Sequence, residues 1–234
     1  MRNIWAIIVG VFVAAGVGIS IYHAVEGRSP STTANEAVAA STPSVAQSSA
    51  PPTASATFDR VEVAADDFVL GKADAPVTLV EYASLTCPHC AQFHETVLPT
   101  IRKDYIEKGL VRFVFRDFPL DNLALTASVI ARCAGRERYF GFIDAFFSGQ
   151  KTWAADKNPV GAMSRIARLG GMTQADVDAC LKNKDVADAV LKQRLEADQK
   201  YGVRSTPTIL INGEKYPGGL TVEQFRAVVA RKLK

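Results

Sequence analysis

"EYASLTCPHCAQFH", residues 81 to 94, decides how this chain is read. The stretch holds two of the four cysteines and two of the three histidines. Three chemistries use such side chains: metal binding, structural cross-linking and thiol–disulfide exchange. Structural zinc takes four ligands, commonly from two C-x-x-C pairs or from Cys2His2. Here there is one C-x-x-C pair, His94 follows Cys90 by four residues, and no second cluster comes after. No metal site is therefore expected. A disulfide across C-x-x-C is short and exposed, which makes it reducible rather than stabilising. Exchange remains, and the flanks favour it.

To the left, "APVTLVEYAS" (75–84) is nearly continuous apolar and β-branched sequence with Glu81 as the exception. This pattern predicts a strand buried on both faces. To the right, "CAQFHETVLPTIRKDYIEKG" (90–109) predicts a helix, with Phe93, Val97, Ile101 and Tyr105 at four-residue intervals and Gly109 as a stop. Pro99 should kink or break it just before that position. Cys87 then sits at a helix start, where free backbone N–H groups and the helix dipole favour negative charge. A thiolate is the species that attacks and leaves in disulfide exchange. Each unit of lowered pKa favours it by about 1.4 kcal/mol, and stabilising the reduced, ionised form makes the disulfide a stronger oxidant. Pro88 suits the first helical position, and His89 places a polar group beside the sulfur. His94 reads as a polar helix residue with no part in the chemistry.

Further along, "LVRFVFRDFPL" (110–120) alternates and predicts a second strand. A strand–helix–strand order implies a right-handed crossover between parallel strands. From about 121 to 200 only helical patterns appear, with Thr173 and Asp176 as one N-terminal cap. "TPTILINGEKYPG" (206–218) then predicts a hairpin turning at Asn212-Gly213. A last helix opens on the capping box of Thr221 and Gln224. The expected α/β architecture is β-α-β, a helical insert at about 121–200, then β-β-α.

In that context "EYASLTCPHCAQF" resembles the active-site segment of DsbA-type thiol:disulfide oxidoreductases of the thioredoxin superfamily. The resemblance covers about residues 60 to 234 and includes the insert and the later "STPTILING" (205–213). It implies a thioredoxin fold with an inserted helical domain. It also implies roles. Cys87 would be the exposed nucleophile that forms the mixed disulfide, and Cys90 its buried partner. His89 would stabilise the Cys87 thiolate. Glu81 stands where the family keeps a buried acid, and would assist proton movement around Cys90. Thr206 and Pro207 would form the cis-proline pair that binds a client backbone. The implied activity is oxidation of exported client proteins with free thiols, needing no cofactor, with reoxidation by a membrane partner of the DsbB type. The same fold also serves isomerases and reductases, often dimers or trimers built through an N-terminal region. No heptads precede this domain, so a monomer is expected. A copper-handling thiol protein and a peptide-binding chaperone are rivals of another class.

Cys133 and Cys180 each fall on a predicted helix of the insert. Unpaired thiols are uncommon in exported proteins, so these two are expected to form a structural disulfide. The alternative is two separate buried cysteines acting as small apolar residues. Some DsbA-like proteins resemble this chain in carrying a second, non-catalytic pair.

The beginning of the chain sets the compartment. Residues 4 to 22 carry no charge, and as a helix they would reach roughly 28 Å, close to a bilayer core. With Arg2 ahead of them, residues 1–25 are expected to be a transmembrane anchor, or else a cleaved signal sequence, with the remainder exported. The expected location is the periplasm or another extracytoplasmic space. No cysteine precedes Cys87, so a lipidated cysteine there is excluded. Residues 26–57 are rich in Ser, Thr, Ala and Pro, too poor in apolar groups to offset their ordering entropy, and are expected to be a disordered linker. Residues 58–234 form the domain. The net charge of +3 is mild and has no Lys/Arg block, so nucleic-acid binding has no support.

Overall fold

Strand β3 (Val77–Ala83) is buried at every position. It lies between β4 (Val111–Asp117), which runs parallel, and β5 (Thr208–Ile211), which runs antiparallel. Its continuous apolar run is what a strand covered on both faces requires. The computed structural model describes residues 52–59 and 61–234. The anchor expected over 1–25 and most of the expected linker lie outside the described residues. Among the described residues, no helix is long and apolar enough to cross a membrane.

Alternation divides the core. Val77, Leu79 and Ala83 pack with Phe113, Phe115, Ile209 and Ile211 on one face. Val80 and Tyr82 pack with Val114 and Leu210 on the other. Glu81 shares the parity of Leu79 and Ala83, so a carboxylate is aimed into the first, larger core. That face receives the helix after the motif. The helix comes in three pieces: α1 (Pro88–Thr96), α2 (Leu98–Ile101) and a π-helical turn (Arg102–Ile106). The break at Val97 falls just ahead of Pro99, as the proline's missing N–H predicts.

Two short strands flank this core and were not expected. β2 (Phe68–Leu70) pairs antiparallel with β4, Phe68 opposite Phe115. β1 (Ala56–Thr57) pairs with β6 (Glu214–Pro217). The linker expected to run to residue 57 therefore ends earlier, because Ala56 and Thr57 belong to the sheet. Strands of two and three residues are too short for alternation to register. The sheet order is β1-β6-β5-β3-β4-β2. The β5–β6 hairpin turns at Asn212 (φ 45°) and Gly213 (φ 92°), the left-handed pair that an Asn-Gly turn supplies. Gly213 is required twice over. A Cβ there would lie 2.2 Å from the Phe58 carbonyl oxygen, and the Phe58 N–H donates to the Gly213 carbonyl at 2.9 Å.

The insert consists of α3 (Asn122–Cys133), α4 (Tyr139–Ser148), the single turn α5 (Gln150–Trp153), α6 (Pro159–Leu169), α7 (Gln174–Leu181) and α8 (Lys184–Tyr201). A final helix, α9 (Val222–Lys232), returns to the larger core through Phe225, Val228 and Val229. The capping boxes Thr173–Asp176 and Thr221–Gln224 are both formed. Cys133 and Cys180 are joined by a disulfide that links α3 to α7 across 47 positions. Closing a loop of that length removes unfolded-state entropy worth at most about 4 kcal/mol. Replacing both cysteines by alanine should lower the urea midpoint accordingly. The reactivity of Cys87 should not change, since the bond lies within the insert.

Candidate active site

The site begins where β3 ends. Ser84 to Thr86 turn the chain, with the Cys87 N–H donating to the Ser84 carbonyl at 3.0 Å. Cys87 is the N-cap residue of α1, with extended backbone angles and Pro88 in the first turn. Its carbonyl already accepts from the Ala91 N–H at 3.2 Å. The sulfur is therefore delivered to a helix N-terminus, where unpaired N–H groups collect.

The turn is held by the insert. The Gln150 amide, buried in α5, donates to the carbonyls of Leu85 (2.8 Å) and Cys87 (3.1 Å). Thr86 donates its hydroxyl to Asp121 at 2.7 Å, and Asp121 also caps α3 through the Ala124 N–H. Replacing Gln150 by leucine would leave the buried Leu85 carbonyl without a donor and the Cys87 carbonyl with only the Ala91 N–H. The expected loss is about 1–3 kcal/mol of stability, measured by urea denaturation.

Both cysteines are buried. Cys87, expected to be exposed, is only 6% exposed because the Thr206 carbonyl and the cis-proline loop cover it. The two sulfurs differ in their polar neighbours instead. The Cys87 thiol donates to the Thr206 carbonyl at 3.3 Å. As a thiolate it is stabilised first by the Cys90 thiol. Burial opposes the charge, and the Thr206 side chain with the N–H groups of Cys90 and His89 offsets it. The outcome is a pKa pulled down to about 5. Cys90 is fully buried. Burial, the hydrogen bond it gives to Cys87 and the nearby Glu81 charge hold its thiol far above the ordinary range. One sulfur is an anion at neutral pH and the other stays protonated.

The remaining expected residues fall as follows. Thr206 and Pro207 lie beside Cys87, and the peptide bond between them is cis. The Gly218 N–H donates to the Pro207 carbonyl at 2.8 Å, so the loop before α9 packs on this proline. His89 and Pro88 are exposed. His89 reaches the sulfur through its backbone N–H, while its ring lines a groove of about 340 Å³ with Phe93, Gly219 and Leu220. Glu81 is buried below Cys90 on the larger core face. Cys133 and Cys180 are bonded to each other in the insert. Among the described residues, no group of three or more His, Cys, Asp or Glu side chains is placed to hold a metal ion.

Two residues went unrecognised in the sequence. His94 is not a surface residue of α1: it is buried, and its Nε2 lies 2.8 Å from Glu81 Oε2. The signal was its spacing, because a residue four after an inward-facing cysteine shares that cysteine's side of the helix. Gln150 carried no signal, since a lone glutamine after "FSG" reads as surface.

Comparison with known proteins places this geometry. A thioredoxin family model matches residues 64–231. The crystal structure of alpha-DsbA1 from Wolbachia pipientis superposes with a TM-score of 0.68 at 31% identity, covering 72% of this chain and 92% of that one. Disulfide bond formation protein D of Bacillus subtilis is 27% identical, over 71% of this chain and 77% of its own length. A Rickettsia bellii protein named as a candidate protein-disulfide oxidoreductase is 31% identical over 63% of this chain, and the match spans only 58% of that relative's length. From the matched fold, the paired cysteines at the helix start and the identity to a DsbA structure, the chain belongs to the thioredoxin family and is DsbA-like.

Proposed function

We propose that this chain is an extracytoplasmic thiol:disulfide oxidoreductase that introduces disulfides into exported proteins at Cys87–Cys90. The observation that carries the proposal is the split between the sulfurs, one pulled down to about 5 and one pushed far up. A client thiolate attacks Cys87 Sγ and the Cys87–Cys90 bond breaks. Cys90 leaves with the electron pair and takes a proton, because burial disfavours its charge. A second client thiolate then attacks the client sulfur, and Cys87 leaves as a thiolate. The client gains a disulfide, and the protein is left with one thiol and one thiolate. A good leaving group has a low pKa, so the second step favours oxidation of the client.

In this reading Thr206 and Pro207 bind the client backbone beside β5 by short strand-like contacts. Pro88 and His89 shape the mouth of the site, and Glu81 handles the Cys90 proton. A membrane partner of the DsbB type reoxidises the pair, and the N-terminal segment tethers a monomer to the membrane. Equilibration with glutathione is the direct test. An oxidising potential is expected, together with loss of client oxidation in Cys87→Ser. A strongly reducing potential sinks the proposal.

A further inference from the structure

The proton that Cys90 takes must come from somewhere, and the active-site mouth is a poor source once a client covers it. The structure offers a second route. His94 Nε2 meets Glu81 Oε2 at 2.8 Å. Its other ring nitrogen, Nδ1, points the opposite way and lies 4.0 Å from Asp144 Oδ1 on α4. The His94 side chain is 2% exposed and that of Asp144 is 44% exposed. Arg102, from the π-helical turn, holds the other Asp144 oxygen at 3.3 Å. This end opens to a surface cavity of about 450 Å³, lined also by Glu95 and Pro99. Two buried polar atoms on the line lack a hydrogen-bond partner: Glu81 Oε1 at the inner end and His94 Nδ1 at the outer. Such orphans are costly and call for a reason.

We propose that His94 is a proton conduit, linking Glu81 beneath Cys90 to the half-exposed Asp144 on the far side of α1. The inference rests on the oxidoreductase reading above. When the Cys87–Cys90 bond breaks, the Glu81 carboxylate relays a proton to the leaving Cys90 sulfur as it receives one from His94. His94 Nε2–H passes its proton to Glu81 Oε2. His94 Nδ1 takes a proton from a water of the cavity, oriented by the Asp144 carboxylate 4.0 Å away, and solvent returns a proton to that water. No electrons move along this path. During reoxidation Cys90 must lose its proton to attack, and each transfer runs backward. The imidazole returns to its starting tautomer without turning over. The packing suits that, because Phe147 lies 4.3 Å from the His94 ring centroid, with Phe115 and Phe113 at 5.6 and 6.2 Å. The groups facing His94 are Glu81 from β3 and Asp144 from α4, with Arg102 behind Asp144. β4 presents only phenylalanines. Burial opposes a charge on His94, but Glu81 and Asp144 outweigh it and raise its pKa. The two carboxylates thus keep a proton available on the ring.

The test is single-turnover oxidation of a dithiol peptide by the full-length oxidised protein between pH 5 and 8. His94→Gly should slow the step by about 10²-fold, the lower range of general acid–base effects. Added imidazole should restore much of the rate by entering from the Asp144 cavity. Asp144→Asn alters only a half-exposed group and should slow the step by less than the roughly 10²-fold expected for a group that itself transfers the proton, with an altered pH profile. Alkylation of Cys87 should stay unchanged in both. If His94→Gly does not fold, Asp144→Asn decides. Wild-type rates and pH profile in Asp144→Asn overturn the conduit. A loss in His94→Gly that is uniform across pH and not recovered by imidazole also overturns it, leaving a structural role. A wild-type protein that does not oxidise the peptide overturns the oxidoreductase reading, and the conduit with it.

Discussion

Alkylation of the reduced protein by iodoacetamide should follow a pH profile with its midpoint near 5, where Cys87 ionises. The midpoint, not the absolute rate, is the diagnostic. At pH 7 a thiol of pKa 5 has about a hundredfold more thiolate than one of pKa 9. However, nucleophilicity falls with basicity at a Brønsted slope of about 0.4–0.5, which cancels most of that gain. The same ionisation is a stability statement. The folded pKa lies below that of an unfolded thiol, so the contribution is fully present above about pH 8.5 and is lost as pH falls through 5. At pH 7 two units separate the solution from the folded pKa, worth about 3 kcal/mol at about 1.4 per unit. The oxidised protein has no thiolate to stabilise. Urea unfolding of both forms across pH 4 to 8 should therefore show the reduced form gaining on the oxidised as pH rises. A Cys87 midpoint near 8.5 with no such divergence would falsify the account.

Arg116→Ala should be among the most destabilising single substitutions, at about 3–5 kcal/mol. The Arg116 side chain is 10% exposed, and Asp67, its partner, is 1% exposed. The guanidinium grips Asp67 with two bonds, Nε to Oδ1 at 2.9 Å and a terminal nitrogen to Oδ2 at 2.7 Å. It also donates to the Tyr82 hydroxyl at 2.8 Å and the Glu62 carbonyl at 2.7 Å. Truncation leaves the Asp67 carboxylate buried without its cation, which costs more than the pair itself contributes. Asp67→Asn combined with Arg116→Met removes both charges and should recover much of the loss. Urea denaturation of the single and double variants measures this. Arg116 has the parity of Val114, on the sheet face away from α1, so Cys87 alkylation should keep its midpoint.

The strand, turn and helix around Cys87 were legible because each carries a local signal: a buried β-branched run, a proline in the first helical turn, a four-residue apolar repeat. The hairpin and both capping boxes were legible for the same reason. What escaped depends on how elements meet. Glu81 and His94 are 13 positions apart, and their contact exists only once β3 and α1 pack face to face. Even so, the inward side of α1 was fixed by Cys90, and applying the helical period to that residue assigns His94 to the core. Gln150 acts across 63 and 65 positions, where no periodicity reaches. The short strands β1 and β2 owe their existence to the edges they complete, β6 and β4, and not to their own residues.

Gln150 also limits what can be built from this protein. Residues 85 to 94 look like a cassette, a redox motif to be spliced onto any strand–helix junction of the same fold. Yet the Leu85 carbonyl is satisfied by an amide from the insert that also supports the Cys87 carbonyl, and Thr86 is tied to Asp121 at the insert's entrance. A host lacking that donor and that acceptor would receive a turn with an orphaned buried carbonyl and an untied Thr86, and the sulfur would not be held against the helix start. The motif is portable only together with the helices that hold it in place.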